Sequence, residues 1–292
     1  MRLGQVGAFV TAAAMTAATA AIGQSSNMTL PPSVVAGSAF SIATSGSGKA
    51  VLYIVGPGQA VRRDVEMGQP VSFAAGVLYN AGHYLVILAK DSTTDTEALD
   101  VVPAPNPETL GFLAQPSRLP VGVHNGISGA VYVFDAYHNL MTTPMTASLE
   151  LSNSSGTVQS RSIPTLNGLA WAEIDSASKE GTVKFVARVG GISSTRIIDQ
   201  VPGDPCAITI SAQPENGKLL VQTAPVHDCS GNAIPDGTIV TFTETYNDMQ
   251  STVDVPLKQG VARVTMPAYK GSKISAASGV VAGNEIIWDG GR

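Results

Sequence analysis

The sequence predicts an all-β protein built of sandwiches in tandem, and three observations lead there. Charged residues make up only 13% of the chain, too few to supply the polar faces of amphipathic helices, and no segment shows a sustained helical period. Hydrophobic residues reach 44%, enough to build cores and to argue against disorder. Short runs of β-branched and aromatic residues alternate with turn signals such as Leu166-Asn167-Gly168 and Glu215-Asn216-Gly217, the spacing expected of all-β sandwiches.

Taken in order, the chain opens on a targeting segment. Arg2 precedes an uncharged, mostly small and apolar run from Leu3 to Ile22. Small residues at Ala18 and Ala20, or Ala21 and Gly23, offer cleavage sites before Gln24. Residues 1–23 are therefore read as a signal peptide, and the mature chain as exported to the periplasm, the cell surface or the extracellular space.

Related units follow. Asp135-Ala-Tyr-His-Asn139 and Asp228-Cys-Ser-Gly-Asn232 share a D-x-x-x-N frame, Gly168-Leu-Ala170 matches Gly260-Val-Ala262, and Ala114-Gln115-Pro116 matches Ala212-Gln213-Pro214. The spacing between matched segments drifts by a few residues, as loop-length variation between homologous domains produces. A more diverged first unit is marked by Gly82–Ala89, which echoes Gly181–Arg188. Proline-rich joints, Val101–Pro107 and Val201–Pro205, separate the units. Proline fixes φ and removes a donor, so such joints are short and semi-rigid. The expected domains are 27–104, 105–203 and 204–292.

The third unit carries the most specific local pattern. Asp228 opens a turn, Gly231-Asn232 supply tolerance for positive φ, and Pro235-Asp236-Gly237 make a second turn. In the strand that follows, Val240 and Phe242 face a core and Thr241 and Thr243 face water. Through Asp228, Gly231, Asn232, Pro235, Gly237, Val240 and Phe242, this stretch resembles the bacterial immunoglobulin-like domains found in tandem in invasin- and intimin-type adhesins. The second unit departs from that pattern at Tyr137-His138 and Thr142-Thr143-Pro144, and the first lacks the Asp…Asn turn. The resemblance implies tandem immunoglobulin-like β-sandwich domains and a non-enzymatic surface role as spacer, adhesion or matrix protein.

Cys206 and Cys229 lie on either side of the Asn216-Gly217 hairpin turn. Strands pairing about that turn bring them almost opposite one another, and export to an oxidising compartment favours a disulfide. A loop of that size stabilises by roughly 3 kcal/mol through chain entropy.

Little in the sequence points to chemistry. A net charge of −5 without a basic cluster leaves no footprint for nucleic acid. Ser176-Ala177-Ser178-Lys179 spells S-x-x-K, but it lies between two strand candidates and lacks the helix that motif requires. His83, His124, His138 and His227 show no metal-ligand spacing. Asp91, Asp95 and Glu97 fall in one predicted loop, and Asp199 and Asp204 flank the second joint; calcium is the ion such carboxylates suit. No cofactor is called for. The remaining candidate is Trp171, which alternation turns outward, where it could stack on a sugar or anchor a protein partner. The reading is therefore a non-catalytic structural or adhesion array. Its alternative is a carbohydrate- or protein-binding module using Trp171 and exposed loops, with a protein or cell-surface glycan as partner.

Overall fold

A computed structural model describes residues 27–154 and 156–290. The expected signal peptide lies outside them. Within the described residues every regular element is a strand, and the strands form three pairs of facing sheets, each closed around its own apolar cluster.

In the first sandwich, a five-stranded sheet runs in the order Val34–Val35, Thr93–Val102, Gly82–Lys90, Lys49–Gly56 and Gln59–Glu66. It faces a three-stranded sheet of Met28–Thr29, Phe40–Thr44 and Val71–Phe73. The second repeats this plan. Arg118–Pro120, Ile192–Val201, Gly181–Val189, Thr146–Asn153 and Gly156–Pro164 face Leu169–Ile174, Ile127–Phe134 and Thr109–Gln115. In the third, Met249–Pro256, Ile239–Tyr246, Lys273–Ser278 and two short closing strands face Ile210–Glu215, Lys218–Thr223 and Arg263–Met266.

Alternation explains the sheets. Along Ile127–Phe134 and Thr146–Asn153, buried and half-buried residues alternate, which puts one side of each strand on the core. Val240 and Phe242 are fully buried, with Thr241 and Thr243 on the opposite face, as their spacing predicts. In the second core, Phe112 meets Phe185 edge-on at 5.1 Å between ring centres, a favourable aromatic arrangement.

The turns follow their residues. Asn167-Gly168 and Asn216-Gly217 both hold left-handed φ at the two central positions and join Gly156–Pro164 to Leu169–Ile174 and Ile210–Glu215 to Lys218–Thr223. Asn and Gly are the residues that tolerate this conformation. The first strand of the central sandwich starts in the small sheet as Thr109–Gln115 and crosses to the large one as Arg118–Pro120, pairing parallel with Ile192–Val201. Pro116, which offers no N–H to either ladder, stands at the crossing. The first sandwich crosses likewise at Pro31-Pro32, before Val34–Val35 pairs parallel with Val101–Val102.

Each apolar cluster draws its members from one sandwich, so a core defect should be felt locally. Phe242→Ala should cost the third sandwich about 3–5 kcal/mol, read as an early transition in a denaturant titration. The transitions of the first two should stay in place.

Candidate functional site: the joints and the outward tryptophan

The paired D-x-x-x-N segments do not lie at the free ends of loops. Each forms the contact between its own sandwich and the one before it. Asp135 is fully buried. Its Oδ1 accepts the N–H groups of Tyr137 at 2.9 Å and Asn139 at 2.8 Å. Its Oδ2 accepts the Asn139 side-chain amide at 2.9 Å and the N–H of joint residue Ala104 at 2.8 Å. Asn139 then reaches into the first sandwich. Its Oδ1 accepts the Ala81 N–H and its Nδ2 donates to the Tyr79 carbonyl, both at 2.8 Å.

The second joint repeats this bond for bond. Asp228 accepts N–H bonds from Ser230, Asn232 and Gly203 and the side-chain amide of Asn232, all between 2.8 and 3.0 Å. Asn232 accepts the Glu180 N–H at 3.1 Å and donates to the Ser178 carbonyl at 3.0 Å. The asparagine amide thereby uses both donors and its acceptor. It also docks on the turn just before the equivalent strand, Gly82–Lys90 or Gly181–Val189.

A carboxylate taken out of water survives as an anion only when donors replace the lost hydration. Burial pushes the Asp135 carboxyl up. The Asn139 side chain and the N–H groups of Ala104, Asn139 and Tyr137 outweigh it and hold the group below its ordinary value. At Asp228 burial acts the same way and is outweighed by the Asn232 side chain and the N–H groups of Gly203, Asn232 and Ser230.

Sequence reasoning takes these segments as turns, which is half of what they are. Gly231 does hold a left-handed φ of 83°, and His138 adopts the same conformation at 62°. Asn232 is different: it is not among the residues with positive φ, and its use lies in its side chain. The partners of the clasp, among them Ala81, Ala104, Glu180 and Gly203, are held through backbone groups, so their side chains carry no signal. The recurrence of the D-x-x-x-N frame after each proline-rich joint was the available clue.

The other candidates are placed as follows. Ser176-Ala177-Ser178-Lys179 contains no helix. Ser176 Oγ accepts the Val123 N–H and the Ser178 carbonyl is a landing point for Asn232, so the stretch belongs to the second joint. His83 pairs with Asp100 and His124 with Asp175 at exposed positions, and His227 Nδ1 meets the Pro225 carbonyl. The acidic loop of the first unit is not a loop. Asp91 is in a turn, whereas Asp95 and Glu97 stand on the strand Thr93–Val102, because Thr93-Thr94 extend the pleat. Asp95 accepts the Asn27 amides, and Asp199 lies 3.5 Å from Arg118. Among the described residues, no three His, Cys, Asp or Glu side chains gather as a metal site.

Cys206 and Cys229 form a disulfide. The hairpin register about Asn216-Gly217 extends to an isolated bridge between Pro205 and Asp228, which brings the cysteines together. The bond sits beside the second clasp, with both cysteines exposed.

Trp171 points outward and is 58% exposed, between the buried Ala170 and Ala172. It lies in line with Ala130 and Leu113 across the three-stranded sheet of the central sandwich. The next row is Leu169, Tyr132 and Gly111, and on the other side lies a polar row of Glu173, Ser128 and Gln115. The row of the third sandwich that corresponds to Trp171 is Arg263, Gln222 and Ser211, polar throughout.

No protein-family model matches the chain, and no curated protein matches its sequence. Solved structures do. The Escherichia coli adhesin FdeC superposes with a TM-score of 0.60 at 14% identity, over 84% of this chain and 88% of that one. The chain has the fold of tandem immunoglobulin-like domains. InvD of Yersinia pseudotuberculosis, at 12% identity over 91% of this chain and 98% of that one, has a TM-score of 0.49. Invasin, a bacterial integrin-binding protein, is 12% identical over 85% and 56%, with a TM-score of 0.44. Among the described residues no helix is long and apolar enough to cross a membrane.

The clasp carboxylates make the joints sensitive to acid in a defined direction. Their folded pKa values are lowered, so their contribution is fully present above the unfolded value and is lost as pH falls through the folded one. The stability gap between the parent chain and Asp228→Asn should be constant above about pH 5 and close below about pH 4. Denaturant titrations at stepped pH read it, and a gap that survives strong acid would overturn the assignment.

Proposed function

We propose that this chain is a non-catalytic, exported array of three immunoglobulin-like domains, 27–104, 105–203 and 204–292. It serves as a rigid surface or extracellular spacer in adhesion. The observation that carries this reading is the repetition of one clasp at both joints. Three bonds cross each joint or its linker: the Asp-to-linker bond and two from the asparagine side chain. At roughly 1 kcal/mol net apiece, they favour the closed joint by on the order of 3 kcal/mol before the cost of ordering it. A catalytic role would need a nucleophile beside a base, or paired carboxylates in a pocket. The hollow lined by Lys49, Asp64, Glu66 and Asp91 is an open one on the large sheet of the first sandwich. The fold shared with the adhesin FdeC supports the surface role.

Small-angle scattering of residues 24–292 tests the rigidity. The parent chain should fit one fixed arrangement, and Asn139→Ala with Asn232→Ala should require an ensemble while each domain keeps its own melting transition. A parent chain that already scatters as a flexible string would sink the spacer reading.

A second reading rests on the Trp171 face. Its apolar and aromatic rows, bordered by Glu173, Ser128 and Gln115, offer a flat stacking surface beside hydrogen-bonding groups. That combination suits a carbohydrate or a protein partner, and the equivalent row of the third domain lacks it. Glycan-array and whole-cell binding by the parent chain, lost in Trp171→Ala without loss of stability, would make the central domain a recognition module. Equal binding by both proteins would remove Trp171 from it.

A further inference from the structure

The two joints share their clasp but differ in what surrounds it. At the first, the residue two places after the aspartate is Tyr137. Its ring lies against Gly37 of the first sandwich so closely that a Cβ there would occupy the same space. It also stacks loosely on Tyr79, with ring centres 6.4 Å apart. An aromatic ring thus fills the angle between the two bodies.

At the second joint the equivalent residue is Ser230. It faces Gly122, the counterpart of Gly37, and its Oγ would touch a Cβ there only at ordinary contact distance, 3.4 Å. Ser178 stands where Tyr79 stood, so neither of these positions places a ring in the second angle. What the second joint has instead is the disulfide. Cys229 follows Asp228 directly, and Cys206 lies three residues past Gly203, whose N–H that aspartate holds. The backbone bonds from Cys206 to His227 and from Glu108 to Phe134 match. They identify Glu108 and Ala136 as the residues in the cysteines' places at the first joint.

The placement of the bond is unusual for a core staple. Both cysteines are exposed, and neither belongs to the apolar cluster of the third sandwich. The bond ties the residues just past the joint to the clasp loop, across the base of the hairpin formed by Ile210–Glu215 and Lys218–Thr223. Without it, the loop presenting Asp228 and Asn232 is held to its own sandwich by the buried Val226 and Ile234 and to the joint segment by hydrogen bonds, with no tyrosine at the position of Tyr137 to limit its tilt.

We propose that the Cys206–Cys229 disulfide is a redox-sensitive brace of the second joint, replacing the tyrosine wedge of the first. A dithiol reductant then turns the second joint alone into a hinge. The exchange is balanced: the two thiols of the reductant give up two electrons and two protons and close to a cyclic disulfide, and Cys206 and Cys229 become two thiols. Exposure of both sulfur-bearing residues gives the attacking thiolate its access.

This inference rests on the rigid-array reading, and the experiment separates the two. Fluorophores are placed through unnatural amino acids at the exposed strand positions Thr94, Ser160 and Thr252 of the full mature chain. The Thr94–Ser160 pair reports the first joint and the Ser160–Thr252 pair the second. Single-molecule distances are recorded before and after dithiothreitol, with mass spectrometry confirming two free thiols. The second pair's distribution should broaden on reduction while the first pair's stays unchanged. Cys206→Ser with Cys229→Ser should be broad from the start and indifferent to dithiothreitol. Tyr137→Ala should broaden the first pair alone.

An unchanged second distribution in fully reduced protein overturns the proposal. So does broadening accompanied by melting of the third sandwich in near-ultraviolet circular dichroism, which would make the bond a domain staple. Broad distributions at both joints before any reductant is added would instead overturn the rigid array itself.

Discussion

A buried carboxylate surrounded by amide donors organises this molecule. Removing a carboxylate from water costs several kcal/mol unless its lone pairs are met by donors, and Asp135 and Asp228 each receive four N–H bonds. Two of these come from the backbone of its own loop, one from the loop's asparagine and one from the joint. The same charge therefore shapes the loop, aims the asparagine and anchors the linker. Disturbing any one of the three leaves the others with an unmet acceptor. That coupling lets a five-residue segment govern how one domain meets the next.

The clasp recognises backbone almost exclusively. Asn139 and Asn232 read an N–H and a carbonyl on the preceding sandwich, and the residues supplying them, Ala81 and Tyr79 or Glu180 and Ser178, have little in common. The receiving surface is thus free to vary in sequence while its geometry is kept. This fits a chain whose first unit is strongly diverged and still docks in the same way. The variable parts of each joint are the residues beside the clasp, Tyr137 and Gly37 at one and Ser230 with the disulfide at the other.

Much of the architecture was legible in the sequence because it rests on patterns that repeat every second residue. Val240 and Phe242 announce a core face, and Asn167-Gly168 and Asn216-Gly217 announce turns whose left-handed conformation few other residues accept. The disulfide followed from hairpin register. The joints were harder. Asp228 and Asn232 look like turn residues, and they are, but their second set of partners lies on a domain whose contacts are backbone atoms without a sequence signature. The acidic run after Lys90 was misplaced for a related reason. Asp95 and Glu97 read as loop residues by composition, and the neighbouring threonines draw them into a strand. Trp171 was placed outward by alternation alone, but its alignment with Leu113 and Ala130 depends on pairing across three strands.

The crossing of the first strand from one sheet to the other has a mechanical side. In the central sandwich, Arg118–Pro120 runs parallel to Asp199–Val201, at the end of the body that meets the third sandwich, where Gly122 faces Ser230. Were the chain pulled lengthwise, such a pair would be sheared, its rungs loaded together instead of opening one at a time. The first sandwich repeats this with Val34–Val35 and Val101–Val102. The described part of the third has no parallel pair, and there the covalent tie between Cys206 and Cys229 lies next to the point of entry. The first two bodies are thus tied at the end that faces their successor, and the third at the end that faces its predecessor.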